Sequence, residues 1–168
     1  MCEIYNEKIL NLDSSYYIKF LTANNDLIKK LKESIIMGKV TPFLMFQDGN
    51  AEEAMKFYTS LIEDSHITSI VRYGANEGGD EGTVMKAAFS LKGQEFMCID
   101  SNVKHQFSFT PSFSIYITCD TEEEINTLYQ QLMDGGQALM PLGDYGFSKR
   151  FGWLNDRFGI SWQLNLSL

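Results

Sequence analysis

The sequence predicts an α+β fold in which two tandem βαβββ modules form a curved mixed-sheet barrel or cleft, preceded by an N-terminal helical extension. A unit of strand, aspartate and helix occurs twice, with Asp48 and Asp120 lying 72 positions apart (48 to 120). A tyrosine inside each helix follows the same period, with Tyr58 and Tyr129 lying 71 positions apart (58 to 129). Three strand-like segments follow each helix. A repeat of this length indicates one module built twice, with a cleft or shared barrel between the copies.

The first module begins with an apolar strand over residues 41–48, which leads into a helix capped by Asn50. Glu53 stands at the third helical position, so the pair is expected to form a capping box. A glycine-rich loop joins the first two strands after the helix, and a tight Lys92-Gly93 turn joins the last two. These three strands are predicted at residues 66–73, 84–91 and 95–100.

The second module repeats this order, starting with an apolar strand over residues 113–120. Thr121 and Glu124 predict a second capping box, and Gly135-Gly136 ends the helix. The three strands after it are predicted at residues 138–142, 147–155 and 160–166.

Residues 1–40 lie outside the repeat and are predicted to form a helical extension. Asn25-Asp26 can cap a helix whose apolar residues recur at helical spacing up to Gly38. We therefore divide the chain into an extension, 1–40, and a body, 41–168, with halves 41–100 and 113–168.

The net charge of −8 repels phosphate backbones, and the sequence shows no basic stripe, so nucleic-acid partners are not expected. Apolar runs stay short of the roughly 20 residues that span a bilayer, which predicts no membrane partner. Cys2, Cys98 and Cys119 have no CxxC spacing and are odd in number, which favours reduced thiols in the cytoplasm. Cys98 and Cys119 lie in apolar strands and are expected to be buried and inert.

The two halves resemble the vicinal-oxygen-chelate superfamily, which includes glyoxalases, extradiol dioxygenases and bleomycin-resistance proteins. The resemblance rests on the strand–Asp–helix unit and on residues 155–164 (NDRFGISWQL), and it implies a glyoxalase/bleomycin-resistance/dioxygenase fold. The chain is still more similar to the PhnB-like branch, labelled 3-demethylubiquinone-9 3-methyltransferase. That similarity covers most of residues 41–166 and is carried by residues 41–54 (TPFLMFQDGNAEEA), 94–97 (QEFM), 118–125 (TCDTEEEI) and 140–153 (MPLGDYGFSKRFGW).

The resemblance also implies where a metal would bind, because metal-dependent relatives take one ligand from the first and fourth strand of each half. Spacing from the two aspartates places these positions at Thr41 and Phe113, with Gln163 on the last strand and either Met97 or Cys98 on the fourth. Such side chains are not the nitrogen and oxygen ligands of a catalytic divalent metal, so we predict no metal and no cofactor.

A pocket for a small organic ligand remains, because strand alternation places apolar and uncharged polar residues where relatives carry ligands. The same residues could instead fill a hydrophobic core. The resemblance further implies a homodimer. The expected ligand-binding residues are Thr41, Phe43, Met45, Cys98, Phe113, Ile115, Trp153, Ser161 and Gln163.

The leading hypothesis is therefore a metal-independent small-molecule-binding protein. The first alternative is an enzyme of the same superfamily, either a metal-dependent lyase or dioxygenase, the methyltransferase of the family label, or a metal-free enzyme using Asp144, Tyr145 or Lys149 as acid–base groups. Methyl transfer is disfavoured because the glycines at 74–82 join two strands rather than a strand and a helix. The second alternative is an interaction protein that works through its N-terminal helix.

Overall fold

The computed structural model describes residues 39–168, so the predicted N-terminal helix lies outside the described residues. Thr41–Leu168 form one compact unit. Its first module contains β1 (Phe43–Phe46), α1 (Ala51–Leu61), β2 (His66–Arg72), β3 (Val84–Leu91) and β4 (Gln94–Asp100). Its second module contains β5 (Ile115–Cys119), α2 (Glu122–Leu132), β6 (Gln137–Gly143), β7 (Arg150–Asn155) and β8 (Ser161–Leu166).

Each module folds into a four-stranded mixed sheet, which confirms the predicted pair of βαβββ modules. The strand orders are β1-β4-β3-β2 and β5-β8-β7-β6. In both sheets the first strand pairs in parallel with the fourth, and the other neighbours are antiparallel. Each sheet is open, with its first and second strands at the edges. Neither helix in residues 39–168 is long and apolar enough to cross a bilayer.

Alternation along the strands gives each sheet a helix-bearing face, which packs on its helix, and an open face on the other side. In β1, Leu44 and Phe46 are buried, whereas Phe43 and Met45 are not. In β5, Ile115 and Ile117 are buried and Tyr116 is exposed. The same division continues across each sheet, because paired residues on neighbouring strands share a face.

The helix-bearing faces of both modules share one hydrophobic core. At its centre Tyr58 of α1 packs edge-on against Trp162 of β8, with ring centroids 5.0 Å apart. Both side chains are fully buried. Because the modules meet through their helix-bearing sides, the open faces of both sheets lie at the surface of the unit Thr41–Leu168.

A buried carboxylate joins the two modules. Asp156, in the turn between β7 and β8, accepts hydrogen bonds at Oδ2 from the Tyr58 hydroxyl (2.7 Å) and the Trp162 indole (2.8 Å). Its Oδ1 accepts from the backbone N–H groups of Phe158 (2.8 Å) and Ile160 (3.0 Å). Four donors compensate the desolvation of this carboxylate, so it can lie in the core and hold α1 against the second sheet.

The two helices begin differently, although both were predicted to have a capping box. In α2 the Thr121 half of the prediction is confirmed, since its hydroxyl accepts from Glu124 N (3.1 Å), while the Glu124 carboxylate accepts from Asp120 N (2.8 Å) rather than from Thr121 N. In α1 it is wrong, because Asn50 makes no side-chain cap hydrogen bond. The Asp100 carboxylate at the end of β4 accepts from Ala51 N (2.9 Å) instead. Asp100, which is 49 positions from Ala51, thus accepts a hydrogen bond at the start of the helix where the local sequence predicted Asn50 to accept one.

The turn between β3 and β4 confirms its prediction. Lys92 and Gly93 both have positive φ (45° and 84°), as a two-residue type I′ hairpin turn requires.

Candidate functional site

On the open face of the first sheet, the side chains of β1 and of the paired part of β4 are apolar, whereas Glu95, Lys86 and His66 lie on the same face farther from β1. Phe43 and Met45 of β1 lie beside Met97 and Ile99 of β4 in the strand register. Phe43 is 53% exposed, and Val71 at the far edge is 52% exposed. Large apolar side chains gathered on a monomer surface mark a place where another surface or a ligand is bound.

The open face of the second sheet is polar and aromatic. Gln163 of β8 lies between Tyr116 of β5 and Trp153 of β7 in the register. A chain of hydrogen bonds runs beside it, from Trp153 Nε1 to Ser161 Oγ (2.9 Å) and on to Ser114 Oγ (2.8 Å). Gln163 Nε2 also donates to Ser114 Oγ (3.2 Å). The face therefore offers uncharged hydrogen-bonding groups between two aromatic rings.

Five of the expected binding residues lie on strand positions of the open faces: Phe43, Met45, Trp153, Ser161 and Gln163. Thr41 lies two residues before the start of β1. Phe113 lies just before β5 and is 58% exposed, where it lines a 360 Å³ groove with Pro42 and Tyr116.

The predicted strand faces were wrong for Cys98 and Ile115, which are buried on the helix-bearing faces. Met97, rather than Cys98, is the open-face residue of β4. On β5 the open-face residue is Tyr116. Ser114, two residues earlier, lies on the same face by strand alternation. The sequence held a signal for this register: the tyrosines and the helix caps repeat at 71 positions, whereas Asp48 and Asp120, from which the strands were counted, repeat at 72. One residue of difference moves every side chain to the other face.

The three acid–base candidates are each engaged in a separate contact. Asp144 Oδ1 accepts from Gly146 N (2.8 Å), and the Tyr145 hydroxyl donates to Pro141 O (2.7 Å). Lys149 Nζ forms an exposed ion pair with Glu122 Oε1 (3.0 Å). The described contacts do not join these groups into a proton-transfer pair.

The positions at which relatives would bind a metal can now be read from the structure. Across the open faces, Phe43 and Met97 are paired on β1 and β4, and Gln163 of β8 lies next to Ser114, which precedes β5. Glu95 of β4 is the one carboxylate at an open-face position of these four strands. A phenyl ring, a thioether, a hydroxyl and an amide are not a ligand set for a catalytic divalent metal. Among the residues that the structure describes, no three His, Cys, Asp or Glu side chains cluster as a metal site would need. The residues present therefore do not fit the catalytic metal that the sequence resemblance implies.

Neither described cysteine has the properties of a nucleophile. Burial raises the pKa of the Cys98 thiol to about 12 and that of Cys119 to about 11. The thiolate, which is the reactive form, is therefore scarce at neutral pH.

Comparison with known proteins assigns the chain to a family. The family model described as 3-demethylubiquinone-9 3-methyltransferase matches residues 38–165. A solved structure from Bacillus cereus, described as a putative 3-demethylubiquinone-9 3-methyltransferase, PhnB protein, is 62% identical and has a TM-score of 0.75. The match covers 77% of this chain and 99% of that one.

Two further structures show how far the likeness extends. Protein PA1353 from Pseudomonas aeruginosa is 26% identical, with a TM-score of 0.68 over 78% of this chain and 98% of its own. A glyoxylase/bleomycin resistance protein/dioxygenase domain from Frankia shares the fold at 16% identity, with a TM-score of 0.55 over 79% of this chain and 93% of its own. Among curated proteins, none matches the chain significantly. The chain thus shares the fold of a glyoxylase/bleomycin resistance protein/dioxygenase domain and belongs to the 3-demethylubiquinone-9 3-methyltransferase family, as does the PhnB protein of Bacillus cereus by its description.

Proposed function

We propose that this chain is a metal-independent small-molecule-binding protein whose binding site is completed by a second copy of the chain. The observation that carries the proposal is the pair of open faces, which hold large side chains at the surface while both helix-bearing faces are buried in one core. Phe43 on one face and Tyr116 on the other are each 53% exposed.

The two open faces complement each other. The first offers apolar contact through Phe43, Met45 and Met97, and the second offers hydrogen bonds and aromatic rings around Gln163. A second copy that places its polar face over the apolar face of the first would enclose a pocket with an apolar floor and a few orienting groups, as ligand sites have. Two-fold symmetry would create two such pockets in a homodimer.

The donor set on the open faces supports binding without a metal, since Phe43, Met97, Ser114 and Gln163 are poor ligands for a catalytic divalent ion. Methyl transfer, which the name of the Bacillus cereus relative suggests, receives no support from the glycines. Gly74, Gly78, Gly79 and Gly82 lie in the loop between β2 and β3. Gly49 is the single glycine between β1 and α1, where a doubly wound nucleotide site would need a glycine-rich turn. Cysteines without CxxC spacing favour a cytoplasmic location.

The test is native mass spectrometry with elemental analysis on protein purified without chelators or added metal. We expect a metal-free dimer that carries a small-molecule adduct, whose mass would begin to identify the ligand. Stoichiometric zinc, nickel, manganese or iron would overturn the metal-independent reading.

Two variants test whether the open face forms the dimer. Phe43→Glu places a charge on the apolar open face and is expected to yield monomers, because a buried unpaired carboxylate opposes association. Val103→Glu is the matched control, since Val103 is 56% exposed but lies in the loop after β4. A Phe43→Glu protein that remains as dimeric as the control would contradict the proposed interface.

A further inference from the structure

We infer that Gln163 presents its carbonyl oxygen to the ligand, and that the site therefore selects a neutral, planar molecule carrying an O–H or N–H donor. This inference rests on the proposed function and specifies the chemistry of its ligand. Three features of the second open face carry it: the direction of the hydrogen bonds, the absence of charge on the surrounding strand positions, and the two flanking rings.

The direction follows from which atoms can donate. The Trp153 indole N–H can only donate, so Ser161 Oγ accepts from it at 2.9 Å. The Ser161 proton then points to Ser114 Oγ at 2.8 Å, the acceptor within its reach in the described residues. Ser114 in turn donates to the carbonyl of Pro111, which can only accept, over a longer distance of 3.5 Å. The Ser161 and Ser114 hydroxyls in this hydrogen-bonded series thus each donate once.

This direction orients the Gln163 amide. Ser114 accepts from Ser161 and, on its remaining lone pair, from Gln163 Nε2 at 3.2 Å. If the amide were reversed, Ser114 would have to donate to Gln163 Oε1 and could no longer donate to Pro111 O. This group of side chains would then make one hydrogen bond fewer. Within residues 39–168, Oε1 in the observed orientation has no hydrogen-bond partner and is not counted among the buried unsatisfied atoms. An accessible acceptor is therefore held in place for the ligand.

The surroundings of this acceptor favour a ligand without charge. The open-face positions of β5, β7 and β8, together with Ser114, carry no ionisable acid or base other than a phenol. A charged carboxylate or ammonium held against this face would lose its hydration without gaining a counter-ion from it. These positions are Ser114, Tyr116, Thr118, Phe151, Trp153, Asn155, Ser161, Gln163 and Asn165.

The flanking rings favour a planar ligand. Tyr116 and Trp153 are the cross-strand neighbours of Gln163 on either side. A flat ring that stacks between or against these side chains would bring a ring-bound hydroxyl or N–H group to Gln163 Oε1. Hydrogen bonding to a fixed acceptor then discriminates against analogues that lack the donor, because the acceptor would remain unpaired.

The experiment uses three probes that share one ring system: 2-naphthol, which has a donor, 2-methoxynaphthalene, which lacks it, and the 2-naphthoate anion. Equilibrium dialysis at neutral pH measures their affinities for the full-length protein. We expect 2-naphthol to bind about tenfold more tightly than the methyl ether, and naphthoate to bind least. In Gln163→Leu, this preference should disappear while the methyl ether binds as before.

Two more variants separate a specific role from general damage. Ser114→Ala leaves Gln163 in place but removes the group that orients it, so the preference for naphthol should shrink. Thr118→Val is the matched control on the same face and should keep the preference. Equal affinity of wild-type protein for 2-naphthol and its methyl ether, or tightest binding of naphthoate, would overturn the inference and leave the proposed function standing. Failure of all three probes to bind would instead overturn the proposed binding function.

Discussion

The hydrogen bond from Tyr58 to Asp156 is expected to be a principal contact between the two modules, and Tyr58→Phe removes it alone. The ring stays packed against Trp162, and Asp156 keeps three of its four donors. Hydrogen bonds to charged groups contribute about 1.5–3 kcal/mol. Because the remaining donors still satisfy the carboxylate, we expect a loss of about 2 kcal/mol of unfolding free energy.

Equilibrium urea denaturation at fixed protein concentration, followed by tryptophan fluorescence, measures this loss as a lower midpoint at unchanged slope. Tyr73→Phe is the matched control, because Tyr73 lies in the loop after β2 and its hydroxyl makes no hydrogen bond within residues 39–168. The control should change stability by less than about 0.5 kcal/mol. If Tyr58→Phe is no less stable than Tyr73→Phe, the carboxylate does not hold the modules together.

The same network predicts a pH dependence. Burial raises the pKa of Asp156 above its ordinary value of 3.8, although the hydrogen bonds from Tyr58, Trp162 and the backbone oppose that shift. A raised pKa in the folded state means that protonation favours folding. The stabilisation from protonating this group is complete below 3.8 and is lost as the pH rises through the folded pKa. The difference between Tyr58→Phe and wild type should therefore shrink as the pH falls, since the lost partner is the ionised carboxylate. A difference that grows on acidification would refute this reasoning.

Two further predictions follow from burial and backbone geometry. Cys98 and Cys119 should resist iodoacetamide at pH 8 until guanidinium unfolds the chain, because burial raises both thiol pKa values well above that pH. Rapid labelling of either cysteine in peptide maps of the folded protein would contradict their inert role. Gly136→Ala should destabilise the fold by more than about 2 kcal/mol, because its Cβ would lie 2.5 Å from the carbonyl oxygen of Asn155. Gly143→Ala is its control, since that Cβ would meet nothing nearer than 3.7 Å, and equal urea midpoints for the two variants would rule out the clash.

The architecture was largely predictable because its signals are local. The βαβββ order, the Thr121 cap of α2 and the Lys92-Gly93 turn each depend on residues close together in sequence, and all three are confirmed. The α1 cap was not predictable in this way, because its acceptor comes from Asp100 on another strand.

The candidate site was predicted in part. Phe43, Met45 and Gln163 were placed on the correct faces by alternation, whereas Cys98 and Ile115 were not. For Ile115 the error came from counting the strand from the aspartates, and period-two alternation turns such a slip into a reversal of faces. Ser114 and Tyr116 were missed for the same reason, although they lie beside Gln163. On β4 the sequence left Met97 and Cys98 as alternatives, and Met97 is the open-face residue.

The sequence by itself determined that the chain contains two βαβββ modules, because periodicity, caps and turns act over a few residues. Only the tertiary structure decided which sides of those modules meet. Tyr58 reaches Asp156 across 98 positions of sequence, and this contact buries the helix-bearing faces and leaves the open faces outside. The physical reason is that a strand pattern shows which residues share a face, whereas the partner of that face depends on contacts between residues far apart in the chain.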